Sequence, residues 1–369
     1  MDWTGLRSRQ EINKTAPTTS PAGVSLNLRA CDTTNNSYSG PLIPEQATPR
    51  PVTPLAEIQP KNPIPKEQWS SRAGFSISYS TDPRYWAQML GAGWYLDWNV
   101  RNDESEDSPE HWQMVRVHED CISPSPEAIR SAASSHPGQV WIIGNEPDVI
   151  WQDNVTPSRY AVHYHDLYQL IKASDPTAMI AVGGISQATP LRFQYLDVVL
   201  KAYQARYNVQ LPADWWTVHG YVLREEKGSW GVEIPPGIDA KQGMLYEVSD
   251  HGRLDLFEGQ ALAFRQWLKD NGYQDTPLAL TEFGILMPTS YGFPLDTIAV
   301  YLNQTFNWLY QARDETIGYP GDDYHLFQKW AWFSISDPNY PASDLGDLPT
   351  GDLTLIGEQF RTVVSTKGH

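Results

Sequence analysis

The sequence predicts an α/β fold, a (β/α)8 TIM barrel behind a proline-rich N-terminal extension. Three observations predict it. From about residue 73, short β-like runs alternate with longer helical ones, which implies a parallel sheet with helical crossovers. Eight such units fit into the remaining ~300 residues, the size of a (β/α)8 barrel. The composition, 40% hydrophobic and 19% charged, is that of a folded protein. The rival is a doubly wound open sheet, and it lacks support: no glycine-rich phosphate fingerprint follows the first strand.

Residues 1–68 stand apart. They hold ten of the 29 prolines, spaced by Thr, Ser and Asn. Such a stretch favours extended chain, so it reads as an arm or linker, with a short strand at 24–29. Residues 69–369 are then the catalytic domain. Its first strand is expected at 74–78, followed by a helix at 85–90 that Gly91 ends. The second strand is 94–98, the third 113–117, and a helix follows at 127–134. The fourth, 140–143, is a continuous apolar run, as strands buried on both faces are.

Thr156-Pro157 then supplies an N-cap and a proline at the first helical position. Behind it Ala161, Tyr164, Leu167, Tyr168 and Ile171 form one stripe, which Asp175-Pro176 stops. The fifth strand is 179–182, closed by Gly183-Gly184, with a helix at 191–207. The sixth is 215–219. A long loop at 222–252 follows, and loops of that length are usually functional or mobile. Leu254, Phe257, Ala261, Phe264 and Leu268 mark the next helix, ending at Asn271-Gly272. The seventh strand is 278–281, with a helix at 297–311. The eighth is 328–333, and a last helix spans 355–364.

Charge narrows the partners. The net charge is 27 − 44 = −17, and an acidic surface repels phosphate backbones, so no nucleic acid partner is expected. Neutral glycans are indifferent to it. No apolar run reaches the ~18–20 residues of a membrane span, and residues 1–20 lack a signal-peptide core. Either a signal has been removed or the protein is cytoplasmic. The expectation is an extracellular or cell-surface monomer. Cys31 and Cys121 could bridge and pin the arm, but the reading favours free thiols. No Cys/His/Asp cluster suggests zinc or iron, so no cofactor or metal is implied; a calcium ion on loop carboxylates stays open. The 15 Trp, 19 Tyr and 10 Phe are the loudest signal, since such rings stack on the apolar faces of sugars.

Catalytic groups in such a barrel sit at the C-terminal ends of strands. Glu146 follows the fourth strand and Glu282 ends the seventh. Carboxyl pairs flanking a glycosidic bond are the working parts of most glycosidases, and these two strands lie on roughly opposite sides of the barrel mouth.

Asn145-Glu146-Pro147 together with Thr281-Glu282-Phe283-Gly284 resembles clan A of the glycoside hydrolases, over residues 74–364. Within the clan the nearest pattern is family 128, the β-1,3-glucanases. It shares Trp94-Tyr95-x-x-Trp98 and Asn145-Glu146-Pro147-Asp148. The third strand departs from that pattern, and this chain is longer, with the large loop after the sixth strand.

The resemblance implies a retaining hydrolase working by double displacement on a carbohydrate substrate. Glu146 would be acid/base, Glu282 nucleophile, and Asn145 a donor to the substrate 2-hydroxyl. His219 and Tyr221 form a His-x-Tyr at the sixth strand end, where a tyrosine commonly bonds the nucleophile. Trp332 resembles the tryptophan that floors the reacting sugar. Trp98, Asn99, His118 and Glu119 are expected near sugar hydroxyls, and Trp230 in the long loop as a sugar platform. Glu225-Glu226 reads as a solvated charge pair. The alternative function is a non-catalytic carbohydrate-binding barrel.

Overall fold

The computed structural model describes residues 26, 28–31, 59–78, 81–102 and 105–367. A ten-stranded sheet runs through it. The first strands and helices are β1 (Ser70–Ser76), α1 (Pro83–Leu90), β2 (Ala92–Leu96), β3 (Glu110–His111), β4 (Gln113–Val117), β5 (Ile122–Ser123), α2 (Pro126–Ser135) and β6 (Val140–Ile143). Then come α3 (Pro157–Ser174), β7 (Met179–Ile185), α4 (Pro190–Tyr207), β8 (Trp215–His219), α5 (Leu254–Asp270), β9 (Leu278–Phe283), α6 (Leu295–Gln311) and β10 (Lys329–Trp332). A small hairpin, β11 (Gly346–Asp347) with β12 (Asp352–Leu353), precedes α7 (Leu355–Lys367).

The sheet order is β3-β2-β1-β10-β9-β8-β7-β6-β4-β5. Every pair is parallel except β4 with β5. The sheet is curled, because β3 at one end of that order and β4, one place from the other end, are joined through a single residue, Trp112. Helices α1 to α4 each begin with a proline. The ring presets the helical φ, and its missing N–H would have had no partner in the first turn.

Two apolar clusters divide the core. One is small and lies on the inner face of the curl: Trp94, Leu96, Trp112, Met114, Val140, Ile142, Ala181, Ala279 and Ala331. These alternate along their strands, as residues on one face must. Large indoles on one side meet alanines on the other. Gly74 belongs to this fit, since a Cβ there would stand 2.5 Å from the Trp94 ring. The larger cluster fills the space between strands and helices.

Several expectations shift. β1 begins four residues early. Gly183 and Gly184 lie inside β7 rather than closing it. β3, β5, β11 and β12 are too short to leave a period in the sequence. Of the strand expected at 24–29, residues 24, 25 and 27 fall outside the described residues. Pairing starts only at Ala30, which bridges Ile122, with Ile122 N–H donating to the Arg29 carbonyl at 2.8 Å. That pairing brings Cys31 to Cys121, and the two form a disulfide with Cα atoms 4.9 Å apart. The expectation of free thiols is therefore corrected; spacing alone cannot show that residues 90 apart are neighbours. Residues 59–69 also pack onto the domain. Ile64 N–H donates to the Gln88 carbonyl, the Trp69 indole to Ile64, and Arg361 to the Asn62 carbonyl. Among the described residues no helix is long and apolar enough to cross a membrane.

Candidate active site

The turn after β6 is built to aim one carboxylate. Gly144 and Glu146 both take positive φ, +88° and +44°. For a non-glycine residue that costs roughly 1–3 kcal/mol and persists only where the surroundings impose it. Here they do. Buried Asp153 accepts from Asn145 N–H at 2.7 Å and Val117 N–H at 3.0 Å, and its other oxygen pairs with Arg116 at 2.5 Å. Glu146 N–H donates to the Gly184 carbonyl at 2.9 Å. Asp153 was invisible in the sequence, lying eight residues beyond the turn it organises.

Glu282 projects from β9 and is as buried as Glu146. Trp98 Nε1 donates to Glu282 Oε1 at 2.7 Å, and Tyr221 Oη to Oε2 at 3.2 Å. His219, from the end of β8, stands between the two carboxyls. Its Nδ1 is 2.9 Å from Glu146 Oε1 and 3.6 Å from Glu282 Oε2. Gly184 leaves room for the imidazole, since a Cβ there would be 2.9 Å from the ring. One ligand-type atom from each of Glu146, His219 and Glu282 lies within 4.8 Å of the others. A small cation would fit that spacing, but it would compete with the hydrogen bond His219 makes to Glu146.

The electrostatics follow from burial and partners. Burial alone would lower the His219 pKa, but Glu282 and Glu146 outweigh it and raise it. Burial pushes the Glu282 carboxyl up and Glu146 adds to that, while His219, Trp98 and Tyr221 oppose it. The Tyr221 hydroxyl is raised well above its usual value, by burial first and then by Glu282, so it acts as a neutral donor.

The remaining expected residues scatter. Asn145 is buried, and its side-chain N–H donates to Gln152 at 3.5 Å; its Oδ1 has no hydrogen-bond partner among the described residues. Asn99 is exposed and folds back on the Asp97 carbonyl at 2.6 Å, away from the site. His118 sits in the β4–β5 turn, donating to the Cys121 carbonyl. Glu119 caps α3 through Thr156 at 2.8 and 2.9 Å. Trp230 is half-buried against the core, while its neighbours Gly231 and Val232 line the cavity. Trp332 is fully buried, donates to the Ser343 carbonyl at 2.9 Å and packs on Phe283. Its neighbour Phe333 lines the cavity, edge-on to Trp98. Neighbouring strand residues face opposite ways, so a one-residue offset in the reading exchanges core for cavity.

The cavity holds about 60 Å³ and is open to solvent. Beside Glu146 its wall is formed by Val149, Trp151, Gln152, Leu223 and Val232; beyond Glu282 it is formed by Phe333, Asp337, Asn339 and Tyr340. Trp151, Asp337, Asn339 and Tyr340 carried no signal of their own, being loop residues without a period.

Glu225 is the largest correction. It is fully buried rather than solvated. Its Oε1 accepts from Arg192 Nε at 3.0 Å and Thr189 Oγ1 at 2.6 Å, and Oε2 from Met244 N–H at 2.8 Å. Arg192, also fully buried, donates to Asp148 Oδ2 at 3.0 Å and to the carbonyls of Val232 and Glu233 at 2.9 and 2.6 Å. One guanidinium thus ties the Glu146 turn to the long loop. Glu226 stays at the surface with Arg224.

No protein-family model matches the sequence, and no curated protein is similar to it. Solved structures are. A subgroup II endo-β-1,3-glucanase of glycoside hydrolase family 128 from Pseudomonas viridiflava superposes with a TM-score of 0.55 at 16% identity, covering 79% of this chain and 98% of that one. A subgroup I endo-β-1,3-glucanase from Amycolatopsis mediterranei, in complex with laminaritriose, gives 0.51 at 15%, covering 79% and 99%. A subgroup III curdlan-specific exo-β-1,3-glucanase from Blastomyces gilchristii, in complex with glucose, gives 0.52 at 15%, covering 80% and 99%. At these identities the likeness is one of fold.

Proposed function

We propose that this chain is a retaining glycoside hydrolase acting on a neutral β-glycan, with β-1,3-glucan the first substrate to test. One observation carries the reading: two buried glutamates face each other at strand ends, with carboxyl oxygens within 4.8 Å and a histidine between them. Retaining enzymes hold their carboxyls ~5–5.5 Å apart, whereas inverting ones leave room for a water at ~6.5–9.5 Å. The β-1,3-glucanase activities of the structural neighbours support the substrate class. We also infer that the sheet closes into a (β/α)8 barrel through β3 and β4, and that the Cys31–Cys121 disulfide goes with an oxidising, extracellular setting.

In this mechanism Glu146 protonates the glycosidic oxygen while a Glu282 oxygen attacks the anomeric carbon. The bond to the leaving sugar breaks and a glycosyl ester forms. Glu146, now a carboxylate, takes a proton from water, which attacks the same carbon and frees Glu282. Trp98 and Tyr221 fix the Glu282 carboxylate before attack. His219, 2.9 Å from Glu146 and 3.6 Å from Glu282, holds the Glu146 carboxyl in place and, when protonated, offsets the charge of Glu282. A protein that only binds glycans needs none of this pairing.

The test is reducing-end release across β-1,3-glucan, β-1,4-glucan, mannan, xylan and galactan, with Glu282→Ala alongside. Release from one polymer, lost in the variant, is expected. NMR of the first-formed anomer must show retention. Release unaffected by the substitution would sink the assignment.

A further inference from the structure

We infer that Asp337 is a specificity-determining residue of this site: it accepts hydrogen bonds from hydroxyls of the glycone sugar and turns away sugars that carry a carboxylate. The inference rests on the glycosidase reading above and adds the direction in which the substrate lies.

The two walls of the cavity differ in chemistry. The acid must sit beside the leaving-group oxygen, so the leaving sugar lies on the Glu146 side. That side is mainly apolar, with Val149, Trp151, Leu223 and Val232. The sheet order puts β10 next to β9 and β6 three strands from β9. The loop after β10 therefore flanks Glu282 on the side away from Glu146, where the glycone must lie. It contributes Asp337, Asn339 and Tyr340 to the cavity.

Asp337 is held there firmly. Its Oδ1 accepts from Asn339 N–H at 2.9 Å and its Oδ2 from Ser78 Oγ at 3.1 Å. Its own N–H donates to Asp344 Oδ1 at 2.7 Å, and Ser336 Oγ donates to Asp344 Oδ2 at 3.0 Å. Below, Ser343 Oγ donates to the Ile285 carbonyl at 2.6 Å, just beyond β9. The loop is thereby tied to the strand bearing Glu282. Burial pushes the Asp337 carboxyl up, while Asn339, Ser78 and Tyr340 oppose it; as a carboxylate it can only accept, so a ligand that meets it has to donate, as sugar hydroxyls do. A uronate would bring like charge to a half-buried wall. With Glu146 and Glu282 in the same cavity, three acids and, among the described residues, no lysine or arginine line it.

The experiment measures kcat/KM on laminarihexaose and on the same oligomer with its primary hydroxyls oxidised to carboxylates, for the native protein and Asp337→Asn. The native protein is expected to prefer the neutral oligomer. Asp337→Asn is expected to lose about 10-fold on the neutral oligomer, the scale of one hydrogen bond to a charged group, and to narrow the preference about 10-fold or more. The preference is a ratio within one variant, so partial unfolding cancels from it. An unchanged ratio overturns the assignment while leaving the glycosidase reading intact. No release from either oligomer by the native protein overturns both.

Discussion

Glu146 and Asp148 are two residues apart on one turn, and the structure gives them opposite work. Both are buried, at 7% and 0% exposure. Asp148 meets a guanidinium that also holds Glu225, so two acids share one fixed cation. Among the described residues the Glu146 carboxyl pairs with a histidine, itself shared with Glu282. Burial therefore does not sort the carboxylates of this protein; the permanence of the partner's charge does. An arginine never gives up its proton, so its cluster is committed to structure. A histidine can, so its cluster keeps protons in play near neutral pH.

Exchange of one acid in each cluster tests that contrast most strongly. Glu282→Gln is expected to abolish reducing-end release while the protein stays folded. Its sign in stability is definite. The Glu282 carboxyl is raised above its unfolded value, so it favours folding while protonated and that contribution is lost as pH rises through the folded pKa. At pH 7 the glutamine variant should melt no lower than the native protein, and its relative advantage should shrink toward pH 4. A clear loss of Tm at pH 7 would contradict this.

The opposite result is expected from Arg192→Met. Two buried carboxylates lose their cation, a change worth about 3–5 kcal/mol of stability in urea unfolding. A loss under ~1 kcal/mol would mean that the Asp148–Arg192–Glu225 cluster does not anchor the long loop. Glu146→Gln stands between these extremes, with kcat down about 10²–10⁴-fold and a stability change far smaller than that of Arg192→Met.

The finest test is Trp98→Phe. It removes one donor to Glu282 and keeps the ring against Phe333. We expect kcat/KM to fall about 10–100-fold. That donor favours the ionised carboxyl, so its loss should move the acidic limb of the pH–rate profile to higher pH. An unmoved limb would show that the Trp98 N–H does not tune Glu282.

Local signals carried much of the fold. The apolar run at Val140–Ile143 and the segments Gln113–Val117 and Trp215–His219 are strands at the residues expected, the first because burial on both faces leaves a continuous apolar pattern. The proline at the start of α3 marked a helix for a backbone reason that needs no tertiary contact. Glu146 and Glu282 were legible for the same reason: each directly follows or ends a readable strand.

The rest was decided between distant residues. Cys31 finds Cys121, Arg192 joins Asp148 to Glu225, and the donors of Glu282 come from just beyond β2 and β8, none of it written in any local period. Facing was equally hidden. Trp332 and Phe333 differ by one position, and only the packed sheet shows which ring reaches the cavity. The sequence by itself determined which segments become strands and helices and which acids stand at strand ends, since those depend on neighbours in the chain. Tertiary structure alone decided which buried acid meets an arginine and which a histidine, because a charge is tuned by whatever the fold brings within a few ångströms of it.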